Sequence, residues 1–448
     1  MHVDLVLKNC KLVTPRGITE AGIAIDKGKI VAVSRTPHLP NAEKTLDLNG
    51  DPVLPGVLDG HCHATSIPDT PASTTKAATH GGITTIHDMP GYEIPCFNLR
   101  EYTEKQSVFK DNCYVDYTMH GACASGYPPK DLIEMWKNGA TGIKFFVSDP
   151  GPGWPQTSDG EILNAFRNLA KINGLALIHA ENDGIIKDNH KRLKSEKRTD
   201  YSAYLEERPK IAEEEAGRRI IQYLEATRCR GVIAHTSIPE TVKNVVAART
   251  RGVKIHTETC PQYLYLTDED VKEKGPWVKF APPPRSKETV AQMRKLLANG
   301  YIDTVATDHA PFTKEEKQIG DIDMLEVPNG IPGLDTFMPL LVNAVSEGWL
   351  TLSQLANVVS EKPAKLYGVY PRKGSFQPGS DADLVVLDLD RKHVIRDEDQ
   401  YTLCGWTPYD GMEIKGMPRL SIMRGRVIMD EGEVLAEKGY GQHLPRIN

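Results

Sequence analysis

The chain has 448 residues and a net charge of −6 without a clustered Lys/Arg stripe, so it lacks the footprint that a phosphate backbone demands, and nucleic acid is not an expected partner. No apolar stretch approaches the roughly 20 residues that cross a bilayer, and the N-terminus has no signal-peptide pattern, so no membrane partner is expected either. Cysteines at 10, 62, 96, 113, 123, 229, 260 and 404 form neither a CxxC pair nor a compact disulfide framework, which points to a reducing cytoplasm.

Residues 3–7 and 24–33 read as strands with a turn at Lys27-Gly28. Short runs rich in β-branched residues follow at 53–58, 83–86, 114–117, 142–143, 175–178, 231–234, 253–255 and 304–307. Each is too short for a helix, and most are separated by stretches of helical periodicity, the alternation of a parallel sheet. Eight such units predict a (β/α)8 TIM barrel, and the chain exceeds the roughly 250 residues typical of a bare one. Between the fifth and sixth runs, residues 211–225 carry apolar groups at helical spacing behind an acidic first turn and predict an outer helix. Residues 383–388 and 420–429 mirror the N-terminal strands. The two chain ends, 1–52 and 371–448, are therefore expected to pair into one small β-sandwich domain beside a barrel over 53–370.

His61, His63, Lys144, His179, His235 and Asp308 each sit just past one of these runs, at the C-terminal rim where a barrel gathers its reactive groups. His61 and His63 alternate on a strand end, so both rings point to one side. Four imidazoles and a carboxylate form a mixed N/O set suited to Zn, Mn, Fe or Ni rather than Ca, and exceed what one catalytic zinc needs. Two ions could share the set if an anion bridged them. Lys144 is the odd member, because an ammonium cannot coordinate a cation. A carbamate formed from its amine and carbon dioxide would supply two bridging oxygens. Trp154, Tyr127 and Phe312 are candidates for an apolar pocket wall, and Cys260 sits on a loop from which a thiol could touch substrate. His87 and His120 read as structural or supporting groups.

The motifs Pro55-Gly56-Val57-Leu58-Asp59-Gly60-His61-Cys62-His63, Gly142-Ile143-Lys144-Phe145-Phe146, His179-Ala180-Glu181-Asn182, His235-Thr236-Ser237, Glu258-Thr259-Cys260-Pro261-Gln262-Tyr263-Leu264 and Thr307-Asp308-His309-Ala310-Pro311 occur in this order. In them the chain resembles the amidohydrolase superfamily, and within it the cyclic amidohydrolases: dihydroorotase, allantoinase, hydantoinase and dihydropyrimidinase. The resemblance implies two divalent ions, zinc foremost, held by His61, His63, carboxylated Lys144, His179, His235 and Asp308. It further implies ring opening of a cyclic amide or ureide by a hydroxide bridging the ions, with Asp308 as proton shuttle and catalytic residue. Asn329, in Pro328-Asn329-Gly330-Ile331-Pro332-Gly333, resembles the hydantoinase loop whose backbone contacts substrate. A homodimer or homotetramer is the implied assembly.

The departures bear on the ring. Dihydroorotases carry an Arg two residues after the HxH pair, an Asn in an MPN motif and a His four residues after the metal Asp; this chain has Thr65, Gly91 and Phe312. Losing those charge-assisted contacts to a substrate carboxylate costs about 1.5–3 kcal/mol per bond. Hydantoinases and dihydropyrimidinases carry a Tyr five residues after the carboxylated Lys, where this chain has Asp149. The sequence therefore predicts an allantoin- or hydantoin-like substrate, with dihydroorotase or dihydropyrimidinase activity as alternatives. A non-catalytic scaffold of the same fold is the competing class, and the complete ligand set speaks against it.

Overall fold

In the computed structural model, which describes residues 2–91, 93–151 and 153–447, eight short parallel strands form the core: Leu58–Cys62, Thr85–Asp88, Asp116–Met119, Ile143–Phe146, Leu175–His179, Arg230–Ile233, Ile255–Thr259 and Thr304–Val305. The third breaks at His120 and resumes as Gly121–Ala122, which pairs with the fourth. The ring closes where Asp308 N donates to His61 O and His63 N donates to His309 O, both at 2.9 Å. Closure leaves the barrel without a free edge.

The outer helices follow from local chemistry. Asp159–Ala170 starts at a reciprocal cap between Ser158 and Glu161 and buries Ile162, Ala165, Phe166 and Leu169, one helical face. The helix expected over 211–225 spans Lys210–Thr227, buries Ala212, Ala216, Ile220 and Leu224, and stops at Arg228, whose φ of 59° is left-handed.

Both chain ends join one nine-stranded sheet, in the order Glu433–Val434, Arg426–Asp430, Glu413–Met423, Leu384–Val394, Pro52–Pro55, His2–Thr14, Gly17–Asp26 and Lys29–Ser34, with Asn41–Asp47 also pairing with His2–Thr14. Leu7, Ile23, Leu384 and Ile422 share its core. The run 24–33 divides into two strands at the expected turn, with Lys27 (φ 49°) and Gly28 (φ 74°) between them. One sequence expectation is corrected: the run 53–58 is not a single barrel strand. Pro52–Pro55 belongs to the outer sheet, pairing with Leu384–Val394 and His2–Thr14, and the barrel starts at Leu58. Gly56 makes the transition, and a Cβ there would lie 2.5 Å from Asp383 Cβ and 2.6 Å from Thr84 Oγ1.

A buried charge cluster stitches the outer sheet to the barrel. Lys373 Nζ lies 2.6 Å from Asp116, on the third barrel strand, 2.6 Å from Asp383 and 3.0 Å from Asp381. Lys373→Met would leave buried Asp383 without a cation, while Asp116 keeps Arg424 and Asp381 keeps Lys29 and Arg372, an expected loss of about 3 kcal/mol. A lower thermal midpoint in a calorimetric scan checks this; an unchanged midpoint would mean the cluster contributes nothing. No helix among the described residues is long and apolar enough to cross a membrane.

Candidate metal centre and substrate cavity

The expected ligands converge at the barrel's C-terminal rim. His61 ends the first strand, fully buried, with Nδ1 2.7 Å from Glu258 Oε1 on the seventh. Tyr367 donates its hydroxyl to the other Glu258 oxygen at 3.1 Å. This pairing turns His61 Nε2 inward, 3.1 Å from Asp308 Oδ1 and 3.4 Å from Lys144 Nζ. His63 Nε2 lies 3.6 Å from the same Asp308 oxygen. The ligand atoms of His61, His63 and Asp308 all lie within 4.8 Å of one another.

The second half of the site comes from the fifth and sixth strands. His179 Nε2 is 2.8 Å from Glu181 Oε2, and Glu181 in turn pairs with Arg208. His179 Nδ1 is thereby aimed at the centre, 3.1 Å from His235 Nε2. His235 (φ 35°) and Asp308 (φ 49°) both occupy the left-handed region just beyond their strands, a strained backbone that turns the side chains into the rim. Asp59 secures the end of the eighth strand, accepting from Thr307 N at 2.9 Å and Thr307 Oγ1 at 2.6 Å, and burial pushes its carboxyl up to about 6.

The donor set fits divalent ions. Burial drives His63 down to about 4 and His179 and His235 below the usual histidine value, so the rings are held neutral, the form that ligates. His235 Nδ1 is buried without a hydrogen-bond partner among the described residues. Burial alone would raise Asp308, but His61 and His63 hold its carboxyl well below the ordinary range. Lys144, 2% exposed, fits only without its positive charge, and burial lowers its pKa.

A cavity of about 520 Å³ opens above these groups, walled by Phe146, Trp154, Phe280 and Phe312. Trp154 packs edge-on against Phe146 at 5.1 Å and Phe97 at 4.8 Å between ring centroids. Asn329 and Phe312 line the cavity, whereas Tyr127 packs on Phe97 outside it. Cys260 requires a correction: it is fully buried in the apolar cluster that holds Tyr204, Tyr263 and Phe280, and it does not line the cavity. His87 and His120 lie inside the barrel, stacked at 5.8 Å, with His87 Nδ1 2.5 Å from Thr118. Glu258, Glu181 and Arg208 escaped sequence reasoning. The two acids carried a usable signal, being charged residues within or two positions past an apolar strand; Arg208, in the break between the helices Tyr201–Glu207 and Lys210–Thr227, carried none.

A sequence profile described as the amidohydrolase family matches residues 53–428. The chain belongs to the amidohydrolase family. It is 37% identical to an L-hydantoinase of Paenarthrobacter aurescens, over 99% of this chain and 98% of that protein. It is 32% identical to a D-hydantoinase of Ralstonia pickettii, over 99% of each. The solved structure of the L-hydantoinase (dihydropyrimidinase) from Arthrobacter aurescens superimposes with a TM-score of 0.96 at 36% identity, covering 99% of this chain and 100% of that one. The barrel with its β domain from both chain ends is thus the architecture of the hydantoinases among this family's members.

Proposed function

We propose that this amidohydrolase opens five-membered cyclic ureides of the hydantoin type, at two divalent ions held by His61, His63, carbamylated Lys144, His179, His235 and Asp308. The observation that carries the reading is the convergence of these side chains on the floor of an aromatic-walled cavity. Lowering of the Lys144 pKa by burial favours the neutral amine, the form that adds carbon dioxide. The bound ions, zinc first among the candidates, supply Lewis acidity and make water a nucleophile near neutral pH.

The chain's own groups do the rest. Asp308, ionised at neutral pH, accepts a proton from the attacking water and delivers it to the ring nitrogen as the C–N bond breaks. Water oxygen ends on the former ring carbonyl, and the product is an N-carbamoyl amino acid. Glu258 and Glu181 keep His61 and His179 in one tautomer and orientation. Backbone polar groups at Asn329 read the imide edge. The walls exclude water and favour an apolar ring substituent, because the polar ureido arm of allantoin would lose hydrogen bonds against Phe146, Trp154 and Phe312. Dihydroorotate finds no cation at Thr65, Gly91 or Phe312 to meet its carboxylate. Its eight cysteines, all buried and free, suit a reducing cytoplasm. A homodimer or homotetramer is the assembly we assign, which light scattering decides.

The test is turnover of hydantoin, 5-alkyl and 5-aryl hydantoins, allantoin, dihydrouracil and dihydroorotate by metal-quantified protein. Apolar 5-substituted hydantoins are expected to give the highest kcat/KM. Chelation is expected to remove at least about 100-fold of that activity, since metal polarisation is worth several kcal/mol, and added divalent ion to restore it. Preference for allantoin or dihydrouracil would overturn the substrate assignment; full activity in metal-free protein would overturn the metal centre.

A further inference from the structure

We propose that Lys317, together with Lys279, is a positioning residue that fixes the loop reading the substrate's imide edge, an inference that rests on the cavity being the substrate site. The two side chains are among the most buried lysines of the chain, 0% and 1% exposed, and neither is used in the chemistry described above. Each nitrogen meets carbonyl oxygens instead of a carboxylate. Lys317 Nζ donates to Lys279 O at 3.0 Å and Pro328 O at 3.1 Å. Lys279 Nζ donates to Met324 O at 2.6 Å and Leu325 O at 3.1 Å. The acids of that loop, Asp323 and Glu326, are engaged by Lys194.

Aromatic faces complete both cages. Lys279 Nζ lies 4.8 Å from the Tyr204 ring centroid, and Lys317 Nζ lies 5.7 Å from Phe312 and 5.8 Å from Trp406. Trp406 Nε1 donates to Phe312 O at 2.8 Å, tying a segment from the C-terminal part of the chain into the same knot. Lys317 therefore joins three stretches that line the cavity: the one at Phe280, the one at Phe312, and the loop through Pro328 and Asn329. Gly330 N also donates to Lys279 O at 3.0 Å, and a Cβ on Gly330 would lie 2.3 Å from Ala310 O, so the loop is pressed against its neighbours with little room to shift.

The loop from Val327 to Gly330 has no helix or strand of its own to hold its carbonyls. Lys317 supplies a donor to Pro328 O within it, and Lys279 holds Met324 O and Leu325 O in the single turn that leads into it. Burial lowers Lys279 to about 7, yet a neutral amine keeps two N–H donors for its two carbonyls, so the contacts persist in either form. Without the donor at Pro328 the loop is free to shift, and a displaced substrate-reading backbone loses binding energy.

Lys317→Met keeps the length and apolar stem and removes the donors. Hydrogen exchange is expected to rise at least about tenfold in peptides covering 324–331, with the barrel strands unchanged, because only local opening is affected. On the best hydantoin, KM is expected to rise about tenfold or more, with kcat within about threefold and metal content intact, the pattern of lost substrate binding. Unchanged exchange in 324–331, or an equal rise across the barrel, would overturn the proposal, as would a loss of kcat and metal at constant KM. The exchange measurement needs no substrate. If the wild-type protein turns over no cyclic amide, the functional reading fails while the exchange pattern still decides the role of Lys317. Should Lys317→Met not fold, Lys279→Met, which releases Met324 and Leu325 alone, carries the same comparison.

Discussion

Asp308→Asn is expected to lower kcat by about 100-fold to 10,000-fold, the range that a positioned proton-transfer group contributes. The substitution is nearly isosteric and keeps an oxygen for the His61 and His63 side of the centre, so the fold and much of the metal content are expected to survive. What is lost is the capacity to accept a proton. Asp308 is suited to that task because His61 at 3.1 Å and His63 at 3.6 Å keep it ionised despite burial. Steady-state kinetics alongside elemental analysis decide the matter. A variant with both ions and wild-type kcat would move the proton shuttle to another residue.

Lys144→Ala is expected to abolish loading of the metal pair and to reduce kcat by about 1,000-fold, equivalent to roughly 4 kcal/mol of transition-state stabilisation. The reason lies in charge as much as in ligand number. Without the carbamate, four imidazoles and Asp308 must hold two dications with a single negative charge, and like-charge repulsion then expels one. Alanine leaves a space that a short carboxylic acid fills, so added acetate or propionate is expected to recover part of the metal content and activity. Retention of two ions and full activity without any added acid would refute the carbamate.

The six candidate ligand positions were legible because each is a polar residue at the end of a short apolar run, and a barrel presents such ends on one rim. Pairing between Pro52–Pro55 and Leu384–Val394 was not legible in the same way: Pro55-Gly56 offers a break within residues 53–58, but only the competing sheet shows that the part before it leaves the barrel. Asn329 and Phe312 line the cavity because both lie on loops after the last barrel strand, which border it. Cys260 did not, since its thiol is taken up by the apolar cluster of Tyr204, Tyr263 and Phe280, an arrangement that strand-end position does not reveal.

The sequence by itself determined the alternation of strands and helices and placed six candidate metal-binding groups at strand ends, because periodicity and strand-end position are local properties. Only the tertiary structure decided which groups support them. Glu258 meets His61 from 197 positions away, and Trp406 reaches Phe312 across 94. Lys317 and Lys279 resemble surface lysines in sequence, and their role appears only once barrel closure has buried them against carbonyls and rings. Contacts of this kind depend on what the fold places opposite a residue, and no local pattern in the chain records that.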